Sequence, residues 1–132
     1  MAKKNRARKS SGFAFTKKYP HENHPANYNR IGNDDIEYLT FTHSEKVDLP
    51  NGKKVKTIPL KSNISPSERG KRKSHVFPKV FQGKRSALGK DTKEFSVPPE
   101  DKDTISRLFR DLPKERVRYT GSKFKDKKKP RK

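Results

Sequence analysis

The sequence contains no cysteine and no tryptophan, and its 132 residues include only 15 acidic side chains against 35 Lys and Arg. Without cysteine the chain can form no disulfide framework, Cys-ligated zinc site, iron–sulfur cluster or Cys nucleophile. No stretch approaches the roughly 20 consecutive apolar residues that a membrane span requires. The basic N-terminus also lacks the apolar core of a secretory signal. These absences predict a cytoplasmic protein that makes no membrane contact.

The length and the 27% hydrophobic content allow at most one small domain. Domains commonly have about 100 to 150 residues. We expect a domain over residues 21–120, preceded by a basic arm over residues 1–20 and followed by a basic tail over residues 121–132. High charge and low hydrophobicity predict that the arm and the tail are disordered in isolation.

The formal charge of +20 is concentrated in three blocks. The arm has seven basic residues and no acid, and the tail has seven against one acid. Between them, residues 61–93 hold ten basic residues against two acids, whereas residues 21–60 and 94–120 are close to neutral. The near-neutral stretches also carry the clearest folding patterns, so the charge excess lies mostly in the termini and in loops at 61–93.

Strand patterns, a hairpin signal and one helix pattern together predict an α+β fold. Residues 35–42 are rich in β-branched and aromatic side chains and predict a strand. Asn51-Gly52 is a strong hairpin signal because both residues tolerate positive φ, and residues 54–60 would form the returning strand. Weaker strand patterns cover residues 75–81 and 117–119.

One C-terminal helix is predicted between the prolines and acids of residues 96–101 and Pro113. Ile105, Leu108, Phe109 and Leu112 form one apolar stripe at i, i+3, i+4 and i+7. Such a helix needs a packing partner, and the apolar face of the hairpin is the natural one. The expected fold is a small twisted antiparallel sheet, with a hairpin around Asn51-Gly52, packed by this amphipathic helix.

A polyanion is the simplest partner for this charge, because each neutralised phosphate releases condensed counterions. Gly and Ser beside the cations of residues 69–74 and 82–86 favour close approach to phosphates. The candidate phosphate-binding residues are Arg6, Arg8, Arg69, Lys71, Arg72, Lys73, Lys84 and Arg85. Phe13 and Phe15 are candidates for base stacking, with packing of a first strand onto the core as the alternative.

The leading hypothesis is therefore a non-catalytic nucleic-acid-binding protein that contacts the phosphate backbone of RNA or single-stranded DNA. Sequence-specific duplex reading is disfavoured, since zinc-finger, leucine-zipper and helix-turn-helix patterns are missing. A ribosome-associated structural protein is an alternative, because basic extensions on a small domain suit that role. The sequence identifies no protein partner.

A second alternative is a small metal-independent ribonuclease toxin. That chemistry requires an acid, a base and a cation near the scissile phosphate, and the candidates are His43, His75, Arg69 and Arg118. Small toxins of the RelE, barnase and MazF types are similar in size, charge and residue inventory, which is an analogy. The competing interpretation of His43 is a strand-end residue hydrogen-bonded to backbone.

His21 and His24 lie near each other in a predicted turn, and their spacing suits two metal ligands. With no third ligand nearby and no cysteine, we predict no metal site and no cofactor.

Several short segments resemble parts of small basic proteins encoded on bacterial mobile elements. These segments are His24-Pro25-Ala26-Asn27-Tyr28, Ile31-Gly32, Tyr38, Thr42-His43-Ser44 and Ser74-His75-Val76. The resemblance implies a bacterial cytoplasm and a phage, plasmid or transposon, and it carries no established activity.

Overall fold

The computed structural model describes residues 10–18, 20–49 and 51–117. It has the expected α+β class, with a mostly antiparallel sheet and one C-terminal helix, α1, over Lys102–Asp111. The strands are β1 Ser11–Thr16, β2 Pro25–Arg30, β3 Asp35–Thr42, β4 Lys46–Asp48, β5 Lys54–Lys56, β6 Ile58–Pro59, β7 His75–Val76, β8 Val80–Lys84, β9 Leu88–Asp91 and β10 Lys114–Arg116.

The main sheet has the order β10-β8-β3-β2-β1-β9. All neighbours on this path are antiparallel except β10, which runs parallel to β8. β8 and β9 are joined by the three-residue 3-10 turn Arg85–Ala87, yet β8 pairs with β3 and β9 pairs with β1. A connection this short requires the sheet to curl back on itself, so its concave side encloses a core.

Two buried clusters lie on opposite faces of the sheet. The first cluster contains Ala14, Ala26, Tyr28, Ile36, Tyr38, Phe77, Phe81, Ala87, Leu88 and Val117. The second cluster contains Phe13, Leu39, Phe41, Leu60, Ile64, Val76, Val80, Ile105 and Phe109. Because side chains alternate along a strand, β3 supplies Ile36 and Tyr38 to the first cluster and Leu39 and Phe41 to the second. The predicted strand over 35–42 is confirmed, and it is central because both of its faces are buried.

β1 lies within the residues assigned to the arm, and β2 was not expected as a strand. Ala14 of β1 and Ala26 of β2 are paired and fully buried. β2 has the polar sequence PANYNR, but Asn27 donates a hydrogen bond from Nδ2 to the carbonyl of Gly12 at 3.0 Å. Pairing on both sides therefore overrides the low strand propensity of asparagine.

The hairpin at Asn51-Gly52 is present, but it is smaller than predicted and separate from the main sheet. β4 pairs with β5, and Gly52 has a φ of 88° as the turn requires. The predicted strand over 54–60 divides at Thr57 into β5 and β6, and β6 pairs with β7. Residues 75–81 likewise divide into β7 and β8, with Pro78 between them. The last strand of the described residues lies at 114–116, just before the predicted strand over 117–119, of which residues 118 and 119 lie outside the described residues.

Helix α1 follows the 3-10 turn Pro99–Asp101 and ends before Pro113, as predicted. Ile105 and Phe109 are buried in the second cluster, with Leu108 and Leu112 packed partly against it. The expected packing of this stripe on the hairpin is wrong. The stripe packs instead in the second cluster, together with residues of β3, β7 and β8, whereas Val47 and Leu49 of the hairpin pack against the first cluster.

Candidate nucleic-acid interface

Four cationic residues line one cleft of about 220 Å³, which we call the basic cleft. It is lined by Lys61, Ser62, Gly70, Lys71, Arg72 and Lys73. All four cations are exposed, and Arg72 also forms an ion pair with Glu68, with 3.5 Å between Nε and Oε1. Three of the candidate phosphate-binding residues, Lys71, Arg72 and Lys73, thus line this cleft together with Lys61, which the sequence did not single out.

The backbone of the basic cleft is fixed by a buried carboxylate. Asp101, 1% exposed, accepts hydrogen bonds from the backbone N–H of Lys61 at 2.7 Å and of Ser62 at 2.9 Å. Asp101 immediately precedes α1, so the start of the helix holds the segment that carries Lys61.

Arg69 does not line the basic cleft but is hydrogen-bonded to the segments beside it. Its Nε donates to the carbonyl of Asn63 at 2.9 Å, and its Nη2 donates to the Ser96 carbonyl at 3.2 Å and to Ser96 Oγ at 2.9 Å. The next residue, Gly70, has a φ of 85°, which allows the chain to turn toward Lys71. The predicted phosphate contact of Arg69 would require these bonds to break.

Lys84 and Arg85 are also engaged within the fold. Lys84 pairs with Asp35 at 3.2 Å. Arg85 donates from Nη1 to the carbonyls of Leu88 and Gly89 and lies 4.7 Å above the centre of the Tyr28 ring. These contacts close the turn between β8 and β9, so Arg85 is a structural residue.

The two phenylalanines of β1 face the second cluster. Phe13 is 6% exposed, and its ring centre lies 6.0 Å from that of Phe41 and 5.9 Å from that of Phe95. Phe15 is half-buried and meets Phe95 edge-on at 5.6 Å. Base stacking by Phe13 is therefore not available in this fold, because the ring is already packed in the core.

His43 and His75 are close in the fold, as the ribonuclease hypothesis requires. Thr42 pairs with His75 across β3 and β7, so His43 follows directly after the residue that faces His75. Thr57 Oγ1 donates to the carbonyl of Ser44 at 2.7 Å, so the same hydroxyl accepts from His75 Nδ1 at 3.0 Å. His75 Nδ1 therefore carries a proton.

His43 lines a second cleft of about 210 Å³, which we call the His43 cleft. Its walls include His24, Phe41, His43, Asn63, Ser65 and Phe95. The cleft combines aromatic and apolar walls with a few polar groups, which is typical of small-ligand sites.

Asn63 determines which nitrogen of His43 carries the proton. Its Oδ1 accepts from the backbone N–H of Ser65 at 2.8 Å, and its Nδ2 donates to the carbonyl of Arg72 at 3.1 Å, which fixes the amide orientation. Nδ2 also lies 3.0 Å from His43 Nε2, so Nε2 accepts and the proton is on Nδ1. Desolvation of the imidazole and the nearby charge of Arg72 lower the pKa of His43, which favours this neutral form.

The sequence did not indicate a role for Asn63, a place in a cleft wall for His24, or the hydrogen bonds of Asp101 to the segment of Lys61. His24 Nδ1 donates to the carbonyl of Glu22 at 2.9 Å, and its ring lines the His43 cleft. The Asn63-Ile64-Ser65 pattern is typical of a local turn, but its contacts with Arg72 and His43 depend on the tertiary fold.

His21 and His24 do lie together, with 5.5 Å between ring centres. Over residues 10–18, 20–49 and 51–117, no three His, Asp or Glu side chains are grouped to hold a metal ion. The candidates Arg6, Arg8 and Arg118 lie outside the described residues.

No known protein family, curated protein or solved structure matches this chain. Within the part of the chain that the structure describes, no helix is long and apolar enough to cross a membrane.

Proposed function

We infer that the protein binds single-stranded nucleic acid, RNA or DNA, through phosphate contacts at the basic cleft. The observation that carries this proposal is that four exposed cationic residues, Lys61, Lys71, Arg72 and Lys73, line one cleft. Each phosphate that these cations neutralise releases counterions, which gives affinity without sequence specificity.

The fixed backbone of the cleft adds to this support. Asp101 holds the segment of Lys61 and Ser62, and Arg69 ties the opposite loop to Asn63 and Ser96. Cations on a preorganised loop lose less conformational entropy on binding than cations on a free chain.

The described surface is better suited to binding a single strand than to docking in the major groove of a duplex. The exposed side of α1 carries charges of both signs, with Lys102, Arg107 and Arg110 beside Asp103 and Asp111. A recognition helix would place these carboxylates against the phosphates of a duplex.

The ribonuclease alternative has less geometric support. Nε2 of His43, the nitrogen that would act as a base, already accepts a hydrogen bond from Asn63, and Arg69 is bound to backbone carbonyls. Loss of growth on induced expression, relieved by His43→Ala, would favour cleavage over simple binding. Co-sedimentation with ribosomes that persists at high salt would favour the ribosome-associated role.

The direct test is the salt dependence of binding to a labelled single strand, followed by fluorescence anisotropy. Lys71→Ala/Lys73→Ala should reduce the slope of log affinity against log salt by about 1.4, since each lost phosphate contact contributes about 0.7 on a single strand. Lys46→Ala/Lys102→Ala removes the same charge from exposed positions elsewhere and should leave most of the slope. A flat slope for the wild type, or equal losses in the two variants, would overturn the proposal.

A further inference from the structure

The basic cleft and the His43 cleft share one wall. Two chain segments form this wall. In the first segment, Lys61 and Ser62 line the basic cleft, and Asn63, Ile64 and Ser65 line the His43 cleft. In the second segment, residues 70–73 line the basic cleft and residue 74 lines the His43 cleft. Consecutive residues of the same two segments therefore line the two clefts, which places the clefts next to each other.

The shared wall is held by internal hydrogen bonds. Asn63 is 1% exposed and joins His43 on one side to the carbonyl of Arg72 on the other. Ser74, also 1% exposed, accepts at Oγ from the backbone N–H of Ile64 at 3.0 Å. The separation between the four cations and the His43 cleft is thus fixed by the fold.

We propose that the two clefts together form a nucleotide subsite, in which the His43 cleft holds one unstacked base and the basic cleft holds the adjacent phosphate. This proposal rests on the proposed function and adds a base-binding element to it. It explains why a cleft with aromatic walls lies beside four cations, since a nucleotide presents a flat aromatic ring next to a negative charge.

The size of the His43 cleft suits a single base. Its volume of about 210 Å³ is below the range of about 300–1,000 Å³ that is usual for drug-sized ligands. The half-buried rings of His24 and Phe95 offer aromatic surface, and bases of any sequence can stack on such surface.

The fixed tautomer of His43 gives the cleft a defined polar group. Because Nε2 accepts from Asn63, Nδ1–H is the donor that His43 can offer to a ligand. Carbonyl oxygens and ring nitrogens of bases are acceptors, so a base can pair its edge with this donor while its faces meet the aromatic walls.

The experiment compares a base-containing single strand with an abasic strand of the same length and phosphate count. Stacking contributes about 1–3 kcal/mol per base, so the wild type should bind the base-containing strand about 5- to 150-fold more tightly. Ser65→Trp, which fills the cleft, and His43→Ala, which removes the donor from an exposed position, should bring this ratio towards one. Both variants should keep the affinity of the wild type for the abasic strand, which also shows that they are folded.

The two proposals fail differently in this experiment. If the wild type binds both strands equally, or if both variants keep the full preference for bases, the nucleotide subsite is overturned and phosphate binding stands. If the wild type binds neither strand at low salt, the proposed function itself is overturned. Lys71→Ala/Lys73→Ala serves as the reference, because it should weaken binding of both strands by a similar factor.

Discussion

Asp101 and Lys61 lie 40 residues apart and are joined by a 2.7 Å hydrogen bond from the backbone N–H of Lys61 to a carboxylate oxygen. The second oxygen accepts from Ser62, so both acceptors of this buried group are used. The pair connects the start of α1 to the basic cleft, and the stability of the fold and the shape of this cleft therefore depend on the same side chain.

Asp101→Asn should lower both stability and affinity for nucleic acid. The amide keeps one acceptor but presents an N–H donor to a backbone N–H, and a lost buried hydrogen bond to a charged group costs about 1.5–3 kcal/mol. Urea denaturation measures the loss, with Asp103→Asn as the control because that exposed acid lies in the same first turn of α1. Equal stabilities of the two variants would contradict this role of Asp101.

Arg85→Lys should destabilise the fold without changing the salt dependence of nucleic-acid binding. Lysine keeps the charge but loses the forked contacts to the carbonyls of Leu88 and Gly89 and the contact with the Tyr28 ring. We expect a loss of about 1–3 kcal/mol in the free energy of unfolding. Arg110→Lys is the matched control, since its side chain is 66% exposed. An unchanged stability with a reduced salt slope would instead make Arg85 a phosphate contact.

Gly83→Ala should disturb the contact between β8 and the residue that follows β10. A Cβ at position 83 would lie 2.6 Å from Val117 Cγ2, so the neighbouring segment must shift. Overpacking of this kind costs about 1–3 kcal/mol. The control is Gly89→Ala, where the nearest atom is the Phe15 carbonyl oxygen at an ordinary 3.6 Å. Adding Val117→Ala to Gly83→Ala should restore part of the loss, and thermal unfolding of the three variants tests both statements.

The stability that His43 contributes should fall as the solution becomes acidic. The pKa of His43 is lowered in the fold by desolvation and by the charge of Arg72, with His75 acting in the same direction and Glu68 opposing them. The unfolded chain has an ordinary histidine pKa of about 6.5, so it takes up the proton first as the pH falls below that value.

Denaturation of the wild type and of His43→Gln between about pH 8 and pH 5 measures this effect. The free energy of unfolding of the wild type minus that of His43→Gln should be greatest at neutral pH. Below about pH 6.5 this difference should decrease. A difference that grows in favour of the wild type on acidification would contradict the sign of the shift.

Sequence patterns identified the elements whose signals are local. The turn at Asn51-Gly52 follows from the positive φ that those two residues tolerate, and α1 follows from its apolar stripe and flanking prolines. β3 was found with its full length because its β-branched and aromatic residues are contiguous. β2 was missed because Asn27 and Asn29 disfavour strands in isolation, and only the neighbouring strands β1 and β3 overcome that preference.

The charge of the basic cleft could be predicted from the sequence, but the hydrogen-bond partners of its residues could not. Lys71, Arg72 and Lys73 are exposed as their local sequence indicated, whereas Arg69 and Arg85 bind carbonyls brought near them by the fold. The link from Asp101 to Lys61 spans two elements of the chain, and no local pattern encodes it. No local pattern encodes the contacts of Asn63 either, because its partners His43 and Arg72 lie on two other segments of the chain.

The position of β1 in the sheet has a consequence for synthesis of the chain. β1 is the first described strand, and it lies between β2 and β9, with Ala14 paired to Asp91 and Thr16 to Leu88. During translation one side of β1 can pair early with β2, but its other edge has no partner until residues 88–91 have emerged. Contacts of such large sequence separation slow folding, and open strand edges favour association between chains. We therefore expect ribosome-bound chains that end before residue 88 to be more prone to self-association than the finished protein.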